Sequence, residues 1–173
     1  MLLPEIRVFS RSHHATIGLL EAGGRRFVCA LGRSGLSARK REGDGTTPMG
    51  RFALRRLFFR PDRLARPRCG LPAQALAPTT AWCEDPADVN YNRQVAAGPA
   101  SGLDRMWRDD HLYDVVIEVG YNDCPVIKGK GSAVFLHLAR PGYAPTAGCV
   151  ALSARDMMRL LPRLGPHTHI RIG

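Results

Sequence analysis

The chain has 173 residues, of which 45% are apolar, and this size and composition suit one folded domain with a sizeable core. Its formal net charge of +10 favours an anionic partner such as nucleic acid, a membrane surface or a cell-wall polymer. The sequence lacks zinc-finger spacing, an aromatic RNA-binding signature and a clear helix-turn-helix, so we expect no nucleic-acid partner. It also lacks an apolar run of about 18 residues, so we expect no membrane span.

The N-terminal third of the chain is predicted to form a meander of short strands. Apolar and polar residues roughly alternate over three stretches separated by turns, and neighbouring strands of this kind run antiparallel. The three stretches are 5–10, 14–21 and 25–31. A turn fixed by Pro48 and Gly50 then precedes another strand at about 51–58.

Residues 60–110 are the least regular part of the chain. Several prolines and an acidic cluster at 83–88 interrupt any periodic pattern. A stretch of this length is typical of a substrate-binding lid, and the alternative is a surface excursion with short helical turns. We therefore predict a single domain over 1–173 with a lid or insertion at about 60–110.

The C-terminal third combines buried strands with one helix. Apolar runs at 113–120 and 132–138 predict central strands that are buried on both faces. Ser153 is a predicted N-cap, and Asp156 completes a capping-box-like start. The apolar face of this helix comprises Met157, Leu160, Leu161 and Leu164. With a final strand at 169–172, the predicted fold class is mainly β with a few helices.

The five cysteines do not indicate a metal or redox centre. None forms a Cys-x-x-Cys pair, which argues against a zinc ribbon or a thioredoxin-like site. Cys29 lies in an apolar, strand-like stretch, where a small buried hydrophobe is expected. Cys69 and Cys83 flank a proline-containing loop, and a disulfide between them is one open alternative.

Cys149 is the residue on which a chemical function centres. It follows Gly148, which permits a tight turn, and it lies between a predicted strand and the capped helix. A thiolate held there can attack a carbonyl while the N–H groups of Gly148 and Cys149 hold the developing oxyanion. His137, twelve residues earlier, is the candidate base, because the loop at 140–145 can bring the two side chains together. The alternative for His137 is a hydrogen-bonded core residue.

The residues around this pair resemble a known family. The run 135–137 (Phe-Leu-His), followed by 146–150 (Thr-Ala-Gly-Cys-Val), is similar to the catalytic motif of the L,D-transpeptidases, the YkuD-like family. In that family a strand histidine precedes a Ser/Thr-x-Gly-Cys segment. Upstream, 45–52 (Gly-Thr-Thr-Pro-Met-Gly-Arg-Phe) resembles the Thr-Pro-x-Gly-x-Phe segment that starts a strand beneath the active site. The resemblance extends from about Gly43 to Leu152.

The resemblance implies a YkuD-like β-sandwich or barrel with a helix after the cysteine. It also implies an enzyme that attacks the L,D peptide bond of a peptidoglycan stem peptide, releases the terminal D-amino acid and passes the acyl group to an acceptor amine. Cys149 would be the nucleophile and His137 the base, while Gly148 would supply the turn and an oxyanion contact. Thr146 and Ala147 would lie beside the pocket. We expect no cofactor and no metal, since His167 and His169 lack carboxylate or cysteine company, and we expect a monomer.

Two positions depart from the family pattern. Many members have a second histidine immediately before the glycine, where this chain has Ala147, and an arginine two residues after the cysteine, where it has Ala151. The first change removes a group that can activate the thiol. The second removes an anchor for a carboxylate or for the backbone. We therefore expect a divergent member with an unusual crosslink, or with hydrolysis as the outcome.

Further substrate contacts are predicted in the lid and near the strand ends. Arg93 is a candidate for pairing with a stem-peptide carboxylate, because a guanidinium matches a carboxylate bidentately. The alternative for Arg93 is an ion pair with an acidic residue of 84–88. Trp107 is expected to anchor the lid to the core. The remaining candidates frame the cleft or pack over the thiol: Tyr121, Asn122, Arg140 and Tyr143.

The family resemblance and the N-terminal sequence point to different cellular locations. The substrate of the family lies outside the cytoplasmic membrane, whereas residues 1–7 lack the charged and apolar regions of an export signal. From the substrate we expect the periplasm or cell wall.

One alternative function is a carboxypeptidase, endopeptidase or amidase that passes the same thioester to water. Another is a non-catalytic module that binds anionic wall polymer through its basic face. The pair of Cys149 and His137 favours catalysis, since a binding module needs neither residue.

Overall fold

Short β-strands form most of the regular structure of the chain. The computed structural model describes residues 1–98 and 102–173, and it confirms the mainly β fold class. The strands are β1 (Glu5–Phe9), β2 (Ile17–Ala22), β3 (Arg25–Ala30), β4 (Leu36–Ser37), β5 (Thr47–Pro48), β6 (Gly50–Phe59), β7 (Ala73–Ala75), β8 (Thr80–Cys83), β9 (Gln94–Ala96), β10 (Leu103–Arg105), β11 (Val115–Val119), β12 (Phe135–Leu138), β13 (Val150–Leu152) and β14 (His169–Ile172). The helical elements are α1 (Ala154–Leu160) and two 3₁₀ turns, Pro141–Tyr143 and Leu161–Arg163.

The predicted N-terminal meander is confirmed. β1 pairs antiparallel with β2, and β2 pairs antiparallel with β3. Along β1 the side chains of Ile6 and Val8 are buried, whereas Arg7 between them is exposed. This alternation arises because successive side chains of a strand point to opposite faces of the sheet.

The large sheet closes on itself through β11. This strand pairs antiparallel with β12 on one side and with β6 on the other. The order around the closed sheet is β11-β12-β13-β3-β2-β1-β14-β6, and β7 pairs with the end of β6. Within this ring the β1–β14 and β12–β13 pairs are parallel. The result is the barrel-like sheet that the sequence resemblance implies.

The inside of the closed sheet is an apolar core to which helix α1 contributes. Ser153 caps the helix as predicted, because its Oγ accepts from the Asp156 N–H at 3.1 Å and donates to the Asp156 carboxylate at 2.8 Å. The predicted apolar face of Met157, Leu160, Leu161 and Leu164 is buried in this core. Within residues 1–98 and 102–173, no helix combines the length and the apolar character needed to cross a bilayer.

Part of the segment predicted to be irregular forms a small sheet of its own. β8 lies between β10 and β9, and both pairings are antiparallel. Trp82 of β8 meets the ring of Phe135 edge-on, with 5.1 Å between ring centroids, so the small sheet packs on the outer face of the large one. A second apolar cluster contains Phe58, Leu76, Trp82, Met106, Leu112, Tyr113, Val116, Ala133, Phe135 and Cys149. β11 and β12 are therefore buried on both faces, as their apolar runs predict.

The parallel pairing of β12 and β13 positions the predicted catalytic residues. Parallel neighbours need a long crossover connection, and residues 139–149 provide it. β12 begins at Phe135 rather than at 132, because Ala133 has a left-handed φ of +51° that a strand does not accommodate. The register places Leu136 opposite Val150, so Cys149 lies immediately before β13, the strand that pairs with the strand of His137.

All five cysteines are free thiols. The disulfide considered between Cys69 and Cys83 is therefore not formed in this structure. Cys29 is fully buried in the interior core, which confirms the prediction that it is a small core hydrophobe. Cys149 is also buried, but in the second apolar cluster, beneath the small sheet.

Candidate active site

A cavity of about 360 Å³ opens between the large sheet and the small sheet, and both predicted catalytic side chains line it. His137 faces Ala151 across the β12–β13 pair, and Cys149 lies two residues before Ala151. Side chains two residues apart on a strand share a face, so all three reach the same side of the sheet. Among the other predicted site residues, Thr146, Ala147, Gly148 and Arg140 also line this cavity.

The Cys149 thiol is held between two backbone groups. Its Sγ donates a hydrogen bond to the carbonyl oxygen of Ala133 at 3.2 Å and accepts one from the Phe135 N–H at 3.3 Å. The residue is only 8% exposed, and burial raises the pKa of the thiol to about 12. The Phe135 amide acts in the opposite direction, because it stabilises the thiolate. At neutral pH the thiol in this resting structure is therefore protonated.

The hydrogen bond of His137 defines which ring nitrogen can act as a base. Nδ1 lies 2.8 Å from the carbonyl oxygen of Leu138, and a carbonyl only accepts, so Nδ1 carries the proton and Nε2 keeps its lone pair. Burial, reinforced by the charges of Arg108 and Arg140, lowers the pKa of His137 to about 4. The imidazole is therefore neutral at pH 7 and has one free basic nitrogen.

The turn before Cys149 is built around Gly148 and Thr146. Gly148 has a φ of +145°, and a Cβ on it would lie 2.7 Å from the Thr46 carbonyl oxygen. Its N–H donates to Thr146 Oγ1 at 3.1 Å, and the same hydroxyl donates to the Cys149 carbonyl at 2.6 Å. In this state Gly148 thus contributes the turn, while its N–H is already bonded to Thr146 rather than directed at an oxyanion.

The predicted segment at 45–52 lies directly against this turn. Lys40 Nζ and Gly148 both contact Thr46, and Thr47 Oγ1 accepts from the Gly32 N–H at 2.8 Å. The Thr47 hydroxyl also donates to the Cys149 carbonyl at 3.5 Å. The two motifs that are 100 residues apart in the chain therefore meet around the cysteine.

Comparison with known proteins agrees with this geometry. The family model YkuD, described as the L,D-transpeptidase catalytic domain, matches residues 6–172, nearly the whole chain. The protein belongs to the YkuD family. This match confirms the resemblance inferred from the two motifs, and the family acts on peptidoglycan stem peptides. No curated protein and no solved structure matches the chain.

One cation of this YkuD domain lies beside the cysteine turn and was not predicted from the sequence. Lys40 is 8% exposed, and its Nζ donates to the Thr46 carbonyl at 2.8 Å and to Asp44 Oδ1 at 3.1 Å. A Cβ on Gly148 would lie 3.1 Å from the same Nζ. The positive charge of Lys40 lowers the pKa of Cys149, although burial outweighs it.

Three carboxylates line the same cavity and were also not predicted as site residues. Burial, together with Asp104 and Glu42, raises the pKa of Glu84 to about 7. Asp104 accepts a hydrogen bond from the Tyr113 hydroxyl at 2.7 Å, and burial raises its pKa as well. Glu42 accepts from the Ser132 hydroxyl at 2.6 Å. The acidic turn at 83–88 was a sequence signal for Glu84, whereas Asp104 follows no motif.

Four predicted substrate residues of the YkuD domain lie elsewhere. Arg93 lines a second cavity, of about 620 Å³, together with Trp82 and Gln94, and no ion pair of Arg93 is found in the described parts of the chain. Tyr121 packs edge-on against Phe52 and donates to the Lys130 carbonyl. The remaining two, Asn122 and Tyr143, have left-handed φ angles of +50° and +55° and are absent from the lining that the described residues give the Cys149 cavity.

Trp107 and the histidines outside the site have structural contacts. Trp107 packs against the second apolar cluster, and the guanidinium of Arg60 lies 3.7 Å from its ring centroid, in agreement with an anchoring role. His169 Nδ1 lies 3.0 Å from the His167 carbonyl. No group of three or more metal-binding side chains is found in residues 1–98 and 102–173.

Proposed function

We propose that this YkuD domain is a cysteine-dependent L,D-transpeptidase that forms an acyl-thioester with a peptidoglycan stem peptide. The observation that carries the proposal is that the Cys149 thiol and the neutral His137, with its Nε2 lone pair, line one cavity. We further propose that residues 1–173 act as one monomeric catalytic domain in the periplasm or cell wall, where the substrate of the family is found.

The first half of the reaction forms the thioester. As Cys149 Sγ attacks the carbonyl carbon of the L,D peptide bond, His137 Nε2 takes the thiol proton. The tetrahedral oxyanion then collapses, the carbon–nitrogen bond breaks, and the proton passes from Nε2 to the leaving amine. The products are the acyl-enzyme and a free D-amino acid.

The second half transfers the acyl group. The neutral amine of an acceptor stem attacks the thioester carbon and loses a proton to Nε2. The carbon–sulfur bond breaks, and the thiolate recovers that proton from His137. A new peptide bond forms, and the enzyme returns to its starting protonation state.

The protonation states of Cys149 and His137 restrict how the proton can leave the thiol in the first step. With a thiol pKa of about 12 and an imidazole pKa of about 4, a resting thiolate–imidazolium pair is unfavourable. Proton transfer is therefore coupled to carbon–sulfur bond formation, or it follows substrate binding. A positive group beside the turn favours the developing negative charge, and Lys40, which is buried next to Gly148, can supply it.

The charged lining of the cavity suits a substrate that carries both an amine and a carboxylate. Glu84 and Asp104 face the cavity as acidic groups, and Arg108 and Arg140 face it as cations. Stem peptides of peptidoglycan carry both types of charge. This mixed lining supports a peptide substrate over the alternative of a simple anionic polymer, for which the carboxylates would be repulsive.

Incubation with disaccharide-tetrapeptides, followed by mass spectrometry, tests the proposal. Wild-type protein is expected to give crosslinked dimers and a released D-amino acid, and Cys149→Ala to give neither. Cys29→Ala is the matched control, because it removes a buried thiol from the interior core instead. Shortened stems without dimers would identify the hydrolase. The absence of any Cys149-dependent product on stem peptides would overturn the enzyme assignment.

A further inference from the structure

The carboxamide of Asn92 is buried next to the active site, and all of its hydrogen-bonding capacity is used. Asn92 is 7% exposed. Its Oδ1 accepts from Trp82 Nε1 at 2.9 Å and from the Ala133 N–H at 3.1 Å. Its Nδ2 donates to the Tyr121 carbonyl at 3.1 Å and to the Asn122 carbonyl at 2.8 Å. One side chain therefore joins the small sheet to two loops of the large sheet.

One of these partners is the residue that holds the thiol. Ala133 has a φ of +51°, a conformation that residues with a Cβ avoid and that persists only where the surroundings fix it. Its N–H is bonded to Asn92, and its carbonyl oxygen accepts the S–H of Cys149 at 3.2 Å. The orientation of that carbonyl thus depends on the contact with Asn92.

A second path leads from Asn92 to the same sulfur. The indole of Trp82, fixed by Asn92 through Nε1, packs edge-on against the ring of Phe135. The N–H of Phe135 donates to Cys149 Sγ at 3.3 Å. Both backbone groups that contact the sulfur, one on Ala133 and one on Phe135, therefore depend on neighbours of Asn92.

The neighbouring Tyr91 reinforces the same loop. Its hydroxyl accepts from the Gly131 N–H at 2.9 Å and donates to the carboxylate of Glu42. Glu42 also accepts from the Ser132 hydroxyl at 2.6 Å. Gly131 and Ala133 are thus bonded directly to Tyr91 and Asn92, and Ser132 is linked to Tyr91 through Glu42.

We propose that Asn92 is a positioning residue for the nucleophile: it fixes the backbone of Ala133 and the indole of Trp82, and through them it orients the Cys149 thiol in the cavity. The proposal rests on the proposed role of Cys149 as the nucleophile. It assigns a role in the reaction to a residue that is absent from the lining that the described residues give the Cys149 cavity. It also gives the segment at 60–110 a function other than that of a lid.

The test variant is Asn92→Gly. Asn92 has a φ of +56°, which glycine adopts without strain, so the substitution removes the carboxamide and keeps the turn. Trp82→Phe is a second variant that removes the Nε1–H bond to Asn92, together with part of the buried indole, and keeps an aromatic ring next to Phe135. Val8→Ala, in the interior core of β1, is the control for loss of stability far from the cavity.

The readout is the pH profile of Cys149 alkylation by iodoacetamide, followed by mass spectrometry of the Cys149 peptide. Without Asn92 the Ala133 carbonyl withdraws and water reaches the sulfur, so the midpoint is expected to fall by about one pH unit. The turnover number is expected to fall about tenfold or more while KM changes little, because orientation of the nucleophile acts on the chemical step. Trp82→Phe, which leaves the bond between Asn92 and Ala133 in place, should give a smaller change in the profile, and Val8→Ala none.

Alkylation needs no turnover, so this experiment and the test of the transpeptidase proposal can fail separately. A wild-type alkylation profile in folded Asn92→Gly would overturn the positioning role even if the enzyme makes crosslinks. Should Asn92→Gly not fold, an unchanged profile in Trp82→Phe would overturn it in the same way. If Val8→Ala altered the alkylation profile as Asn92→Gly does, the effect would come from general destabilisation, and the positioning role would be overturned.

Discussion

His137 of β12 and Ala151 of β13 lie directly opposite each other on parallel strands, and Ala151 is two residues beyond Cys149, the proposed nucleophile. Both line the cavity, and Ala151 contributes only a methyl group beside the imidazole. A larger side chain at this position would fill space that the methyl group of Ala151 leaves open. That space is available to the substrate or to the attacking acceptor amine.

Filling this space is expected to impair catalysis more than folding. Ala151→Leu places a larger apolar group next to His137, and we expect kcat/KM to fall about tenfold or more because substrate and imidazole are separated. Steady-state kinetics with stem peptides measure the effect, and thermal unfolding measures stability. Ala154→Leu, on the exposed first turn of α1, is the matched substitution and should retain wild-type activity. Unchanged kinetics in Ala151→Leu would mean that the substrate does not approach His137 from this side.

The turn at Gly148 is expected to tolerate no side chain. A Cβ there would meet the Thr46 carbonyl oxygen at 2.7 Å and Lys40 Nζ at 3.1 Å, and φ is +145°. We expect Gly148→Ala to lower the free energy of unfolding by about 2–4 kcal/mol, through backbone strain and the steric clash together. Crosslinking activity should be lost because the thiol moves. Denaturant titration and alkylation of Cys149 measure the two effects.

Gly24→Ala measures the cost of backbone strain at a positive φ without a steric clash. Gly24 also has a positive φ, +79°, but a Cβ on it meets nothing within 4 Å. This variant should cost about 1 kcal/mol and leave activity intact. Equal losses of stability in Gly24→Ala and Gly148→Ala would show that Thr46 and Lys40 move aside for the Cβ at little cost in free energy.

The sequence predicts the local structure of this domain better than its long-range contacts. Alternation along β1 and the Ser153 cap of α1 are local signals, and both are confirmed. All four residues of β8 are buried, so this strand shows no alternation by which it could be recognised. Closure of the sheet joins β11 to β6, about 60 residues earlier, through pairing that no local pattern encodes.

The candidate active site shows the same contrast between local sequence signals and contacts that form only on folding. Cys149 and His137 are recognisable because the segments around them resemble the family motif, whereas Lys40 belongs to a basic run at 39–41 that is typical of a solvated surface. Lys40 is buried only because Asp44 and the Thr46 carbonyl fold over its ammonium group. Asn92 has no motif at all, since its importance follows from contacts with Trp82 and Ala133 that form only in the folded chain.

Removal of the Lys40 charge is expected to reduce the reactivity of the thiol. Lys40→Met keeps the length of the side chain and deletes the ammonium group. In the wild-type protein the positive charge of that group lowers the pKa of Cys149. We expect Cys149 alkylation at a fixed pH of about 9 to slow several-fold and kcat to fall about tenfold, because the developing negative charge loses a nearby cation. Lys130→Met, at an exposed lysine, is the control and should change neither quantity. Faster alkylation in Lys40→Met would contradict the electrostatic role.

The pH dependence of stability should reveal the buried, neutral state of His137. Its pKa in the folded protein is lowered to about 4, whereas the unfolded chain protonates near its ordinary value of 6.5. Between these values the unfolded state binds more protons, so the free energy of unfolding falls as the pH drops from about 6.5 to about 4. The contribution of this group is about 3 kcal/mol over that window. Glu84, whose folded pKa is raised to about 7, contributes with the opposite sign as the pH falls from 7 to 4.5.

The His137 contribution is therefore measured as a difference between variants. His137→Gln removes the titrating group, and denaturant unfolding at several pH values should show a smaller loss of stability between pH 6.5 and 4 than in wild type. The carboxylate contribution, including that of Glu84, is common to both proteins and cancels when the two curves are subtracted. His167→Gln is the control, since this exposed imidazole is hydrated in both the folded and unfolded states. A difference curve that is flat across this window would show that the folded protein does not lower the pKa of His137, and it would contradict the desolvated imidazole described for this site.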